Sequence, residues 1–173
     1  MLAKVFSGAV IGVDGFIVQV EVDLAQGLPS FSTVGLPEGA VRESKDRVKS
    51  AIKNCGYEFP SKRITVNLAP ASVKKEGAGY DLPIALGIIA ASGAFDGTVL
   101  ENTGVVGELS LDGEVRPVKG VLPMILAAKE HGVKRFFVPS ANAYEAGVVD
   151  GIIIIAVSRL DEAVEMICGT KEI

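Results

Sequence analysis

Tryptophan is absent from the 173-residue chain, histidine occurs once and cysteine twice. These shortages exclude several chemistries at once. A histidine-rich zinc site, a Ser-His-Asp triad and histidine general-base catalysis would all depend on His131, which stands beside Gly132, a residue suited to ending a helix. A cation at that end is favoured by the helix dipole, so His131 reads as a helix-end side chain. Cys55 and Cys168 lie far apart, with neither metal-ligand spacing nor a disulfide framework, as expected in the reducing cytoplasm. Long apolar runs are missing too: the stretch 152–157 falls far short of the roughly 18 residues of a membrane helix. The N-terminal apolar stretch follows Lys4, is broken by Asp14 and Gly15 and shows no small-residue cleavage site, so no secretion signal is expected. No Gly-x-x-x-x-Gly-Lys-Ser/Thr phosphate loop occurs, so this chain alone is not expected to hydrolyse ATP.

What is present is a balanced composition, with 17 basic and 21 acidic residues, a net charge of −4 and 49% apolar residues. It suits one globular domain over residues 1–173. Phe16, Val18, Val20 and Val22 alternate with Gln19, Glu21 and Asp23, the period of a strand with one buried face. A shorter strand is expected at 31–34. Val41, Val48, Ile52 and Cys55 share a helical face that Gly56 would close, which predicts one helix over 37–55. Ile64, Val66 and Leu68 predict another strand, followed by a loop over 69–80. Asp81 can cap the next helix and Pro83 suits its first turn; residues 84–91 are apolar on nearly all sides, so that helix should be buried. Asp112-Gly113 predicts a type I′ hairpin joining 105–111 to 114–118. A helix at 121–131, a strand at 135–138, a helical turn at 141–145, a strand at 151–157 and a final helix from Ser158 complete the order. In that last helix Leu160, Ala163, Val164 and Ile167 face inward. The pattern is α+β, with a mixed sheet and a βαβ unit near the C-terminal end.

The motifs that carry chemistry are few. The loop 76–81 is glycine-rich and enters a helix, where backbone N–H groups can cradle an anion, but Asp81 would itself take those groups and repel a phosphate. Glu108, Asp112 and Glu114 flank the hairpin without a diagnostic acid/base pairing. Ser72 with Lys74 or Lys75 can be drawn as a Ser–Lys nucleophile pair, although loop lysines are normally solvated and protonated. Charge is more informative. Residues 42–76 hold nine basic side chains against four acidic ones, in a chain whose net charge is negative. Arg42, Lys45, Lys49 and Lys53 fall on one helical stripe that Lys74 and Lys75 could extend, so these six are the candidate nucleic-acid contacts. A solvated amphipathic face explains the stripe equally well, and the lack of interleaved aromatics argues against base stacking.

The run Val34-Gly35-Leu36-Pro37-Glu38-Gly39-Ala40-Val41-Arg42-Glu43-Ser44-Lys45-Asp46-Arg47-Val48 carries a resemblance. So do Val66-Asn67-Leu68-Ala69-Pro70-Ala71 with Lys74-Lys75-Glu76-Gly77 and Tyr80-Asp81-Leu82-Pro83, and Gly107-Glu108-Leu109 through Val115-Arg116-Pro117-Val118-Lys119-Gly120. Together they closely resemble the N-terminal domain of the ComM/YifB family, bacterial AAA+ proteins long labelled magnesium-chelatase-like. The resemblance implies a Lon-proteolytic-domain-like fold of the ribosomal-protein βαβ type, similar also to the C-terminal domain of RadA. It implies that the AAA+ ATPase module lies outside this chain. The catalytic serine of Lon then falls on Gly79 and its lysine on Leu122, so neither functional group remains and no catalytic residue, metal site or cofactor is expected here. ATP and Mg²⁺ are expected for the full-length protein, a cytoplasmic homo-hexamer with DNA as a possible partner and no membrane association. The implied role is support of a motor that remodels DNA in recombination or transformation. Two alternatives are a divergent peptidase with its nucleophile moved to Ser72, and an accessory part of a magnesium chelatase.

Overall fold

In the computed structural model, which describes residues 1–170, the alternating segment forms strand β2 (Asp14–Ala25), with Val18, Val20 and Val22 fully buried. It turns back on β1 (Leu2–Ile11) through Gly12 and Val13, where Gly12 takes a φ of 64° that glycine adopts without steric cost. Sequence periodicity does not separate β1 from its surroundings because both of its faces are covered. Ala3, Val5 and Ala9 enter one core, while Phe6 and Val10 pack on another, so the strand has no polar phase.

β3 (Ser30–Val34) is followed by α1 (Gly39–Arg42), α2 (Ser44–Asn54), β4 (Arg63–Ala69) and α3 (Asp81–Ala91). The chain continues through β5 (Thr103–Val105), β6 (Glu108–Leu109), β7 (Val115–Arg116), α4 (Val121–His131), β8 (Arg135–Pro139), α5 (Ala143–Ala146), β9 (Ile153–Val157) and α6 (Leu160–Cys168). Seven strands form a mixed sheet in the order β3-β4-β2-β1-β5-β8-β9, antiparallel across β4-β2-β1 and parallel towards both edges. α4 and α5 lie between the parallel strands β5, β8 and β9, which supplies the expected βαβ arrangement. The sheet separates two apolar cores, one beneath α2, α3 and α6 and the other beneath α4 and α5. Every residue of α3 is buried, as its all-round apolar character requires.

Two expectations are corrected. The helix predicted over 37–55 is interrupted at Glu43, where the Ala40 carbonyl accepts a 2.7 Å hydrogen bond from Arg47 Nη2. The hairpin is shorter than predicted and its turn is different. Residues 103–105 join the main sheet, leaving only β6 and β7 to pair with each other. Positive φ in this turn is confined to Gly113, at 95°, so it is not type I′. A three-residue loop is closed instead by Ser110 N to Glu114 O at 2.9 Å and Gly113 N to Ser110 O at 3.1 Å.

Candidate functional site

The loop between β4 and α3, the end of β1 and residues 117–119 border a cleft of about 850 Å³. Gly79 forms part of its wall. A Cβ at position 79 would stand 3.2 Å from Val106 Cγ2 and 3.4 Å from Val118 Cγ1, so even a small side chain here would need the wall to give. Leu122 does not line the cleft; it packs half-buried on the second core. Val118 is itself held in place, because buried Asn142 accepts from its N–H at 3.0 Å and donates to its carbonyl at 2.9 Å. The Asn142 amide thus acts as a strand partner would. No sequence signal marks it, since a polar residue in a helical turn is ordinary.

Asp81 does not cap its own helix. It is fully buried, and its carboxylate accepts from Ser44 Oγ at 2.5 Å, Arg47 Nε at 2.7 Å, Arg47 Nη2 at 3.2 Å and the Leu109 N–H at 3.0 Å. One side chain therefore ties α2, α3 and β6 together. Burial pushes the carboxyl above its usual range, against the pull of Arg47, Ser44 and the Leu109 amide. The cap expected of Asp81 is thereby corrected, and the first-turn donors of α3 have other partners. Asp81 N donates to Ala78 O at 3.2 Å, Leu82 N to Gly107 O at 3.0 Å and Ile84 N to Tyr80 O at 3.0 Å, while Pro83 has no donor.

The two lysines next to Ser72 have different fates. Lys74 is exposed and pairs with Glu38 at 3.8 Å. Lys75 is fully buried, and its ammonium donates to the carbonyls of Gly35, at 2.8 Å, and Pro70. Burial pushes its pKa down. Its backbone also joins the turn at 35–38, accepting from Glu38 N at 2.9 Å and donating to Leu36 O at 3.0 Å. Gly35 and Leu36 both have positive φ, 104° and 56°, a conformation costly for leucine that these bonds hold. Lys75 therefore leaves the set of candidate nucleic-acid contacts. It also stands apart from the drawn Ser–Lys pair, since Ser72 is exposed and the ammonium is spent on carbonyls.

The other members of the basic set are exposed: Arg42 on α1, and Lys45, Lys49 and Lys53 along α2. The three α2 lysines line a groove of about 280 Å³ together with Lys62, Phe31 and Phe59. Lys49 Nζ lies 5.7 Å from the centre of the Phe59 ring. Among the described residues none of these four lysines forms an ion pair. Contrary to the expectation of a stripe without aromatics, two phenylalanine rings lie beside it. Phe31 comes from β3 and Phe59 from the α2–β4 connection, so linear spacing cannot show them beside the stripe. The described residues contain no cluster of three His, Cys, Asp or Glu side chains that could hold a metal ion. Nor do they contain a helix long and apolar enough to cross a membrane.

A family model described as subunit ChlI of Mg-chelatase matches residues 20–142. The chain is 44% identical over 172 residues to competence protein ComM of Haemophilus influenzae, covering 99% of this chain and 34% of that protein. It is 46% identical over 148 residues to the uncharacterized protein YifB of Salmonella typhimurium, covering 86% and 29% respectively. A more distant match, 28% over 166 residues, is to Lon protease 2 of Bacillus subtilis, covering 87% of this chain and 29% of that protein. The chain spans about a third of the length of the curated relatives it matches.

Proposed function

This chain belongs to the Mg-chelatase-like ChlI family, with ComM and YifB among its relatives, and from that premise we propose that it is the non-catalytic N-terminal domain of a DNA-remodelling AAA+ ATPase. It aids hexamer assembly or DNA engagement in recombination or transformation, in the cytoplasm. ATP and Mg²⁺ act in the AAA+ module, in keeping with the absence of a phosphate loop here and with the occupied N–H groups at the start of α3. A non-catalytic role is supported by Gly79 and Leu122, which supply neither a nucleophile nor a base.

The observation that carries the DNA part is the row Lys45, Lys49 and Lys53 along α2, exposed and without ion pairs among the described residues. Positive charge gathered on one face of a negative molecule attracts a polyanion there and limits attraction elsewhere. The test is the double charge reversal Lys45→Glu with Lys49→Glu in the full-length protein. If the row contacts DNA phosphates, affinity falls to a similar degree for unrelated sequences. The log–log salt slope, roughly −2 to −3 for three phosphate contacts, becomes shallower. Unchanged affinity and slope in a variant that still assembles would reject the DNA contact and leave the assembly role.

A further inference from the structure

The groove beside α2 carries more than charge. Its floor and rim come from three separate segments: Phe31 from β3, at the outer edge of the sheet, Phe59 and Lys62 from the α2–β4 connection, and Lys45, Lys49 and Lys53 from α2. Phe31 and Phe59 are half-buried and pack against the larger core, so their rings are fixed platforms with part of their surface left to solvent. Four lysines face a single acid, Asp46, in the lining.

We infer that this groove binds single-stranded nucleic acid, with bases stacked on Phe59 and Phe31 and phosphates held by Lys45, Lys49, Lys53 and Lys62. The inference rests on the reading of the domain as a DNA-engaging one and names the form of DNA it takes. A positively charged groove that tracks a backbone beside aromatic platforms is the arrangement that holds single strands without reading sequence, because every base offers a flat face. Size points the same way. At about 280 Å³ the groove lies just under the range of small-ligand sites, a size that suits about one nucleotide unit. A duplex could touch only the lysines at the rim, since its bases are stacked on one another and closed to the phenylalanines. In the free protein Lys49 sits over the Phe59 ring. A base arriving on that ring displaces the ammonium, and its flexible stem lets it swing to an adjacent phosphate, exchanging one exposed cation–π contact for a stacked base and an ion pair.

The absence of tryptophan makes the test direct. Phe59→Trp introduces a single indole whose fluorescence reports on stacking, and Phe31→Trp is a second reporter at a separate position. Each is titrated at low ionic strength with a single-stranded oligothymidylate of about ten nucleotides, a duplex of equal length and inorganic polyphosphate. Quenching by the single strand, with little from the duplex or polyphosphate, is the expected result. In parallel, Phe59→Leu should weaken single-strand binding by roughly 5- to 100-fold while leaving duplex binding and the salt slope unchanged. Lys49→Glu should instead weaken both forms and flatten the slope. Binding without quenching at either reporter, or an equal loss of single-strand and duplex affinity in Phe59→Leu, overturns the stacking inference and leaves the phosphate-binding reading standing. Single-strand and duplex affinities that ignore both the phenylalanine and the lysine changes overturn both.

Discussion

Lys75 and Asp81 are fully buried ions that hold the loops around α3 by different means. Asp81 has a cationic partner in Arg47, whereas the Lys75 ammonium is met only by carbonyl oxygens. Replacing Lys75 by methionine keeps much of the volume and leaves the Gly35 and Pro70 carbonyls without that donor. Gly35 is half-buried and Pro70 exposed, so water meets part of what their carbonyls lose, and relief from burying a charge offsets more; Lys75→Met should lower unfolding stability by about 1 kcal/mol in urea. No loss would show that the burial cost outweighs the two bonds. Tyr80 sets a pH effect whose sign is clear. Burial, with Glu76 adding to it, pushes its phenol above the usual range, so the native state keeps a proton that the unfolded chain loses near pH ~10. Stability contributed by that proton is complete below this pH and is lost as pH rises beyond it, by up to about 1.4 kcal/mol per unit. Denaturation midpoints followed from about pH 9 to pH 11 should fall less steeply in Tyr80→Phe.

Among the elements, α3 shows how packing overrides propensity. Alanine is better than glycine in a helix interior by about 1 kcal/mol, yet a Cβ at Gly87 would lie 2.6 Å from Val22 Cγ2, a fully buried side chain of β2. Overpacking of this kind costs about 1–3 kcal/mol, so Gly87→Ala should be destabilising, and Val22→Ala added to it should recover part of the loss. Thermal unfolding of the two single variants and the double variant measures that coupling. The cleft next to α3 obeys the same logic. Gly79→Ser with Leu122→Lys restores two residue types, but Asn142 pins Val118 across from position 79 and Leu122 does not line the cleft. No fluorogenic peptide should be cleaved by that variant; turnover above the parent chain would show that the cleft retains a preorganised site.

Over the whole molecule, a net charge of −4 is combined with a lysine-lined groove at one edge of the sheet. One copy offers a small site, so if the full-length protein assembles and engages DNA as proposed, the isolated chain should bind a long single strand about 10²- to 10⁴-fold more weakly than that assembly, measured by anisotropy with both proteins. Equal affinities would place all the binding in one copy. Much of this architecture was legible in the amino-acid order. Alternation along 16–22 and 64–68 set two strands, the apolar belt at 84–91 set a buried helix, and Leu160, Ala163, Val164 and Ile167 set the inner face of α6. These are local periodicities, and each repeats within a few residues. The sequence likewise determined that Gly79 and Leu122 carry no hydrolytic chemistry, because a side chain's functional group needs no fold to be absent. Only the tertiary structure decided that Asp81 bonds to Ser44 and Arg47 rather than to its own helix, that Lys75 turns inward, and that Phe31 and Phe59 meet the α2 lysines. Those contacts join segments far apart in the chain, and a carboxylate or ammonium removed from water takes whichever partner the packing brings within reach.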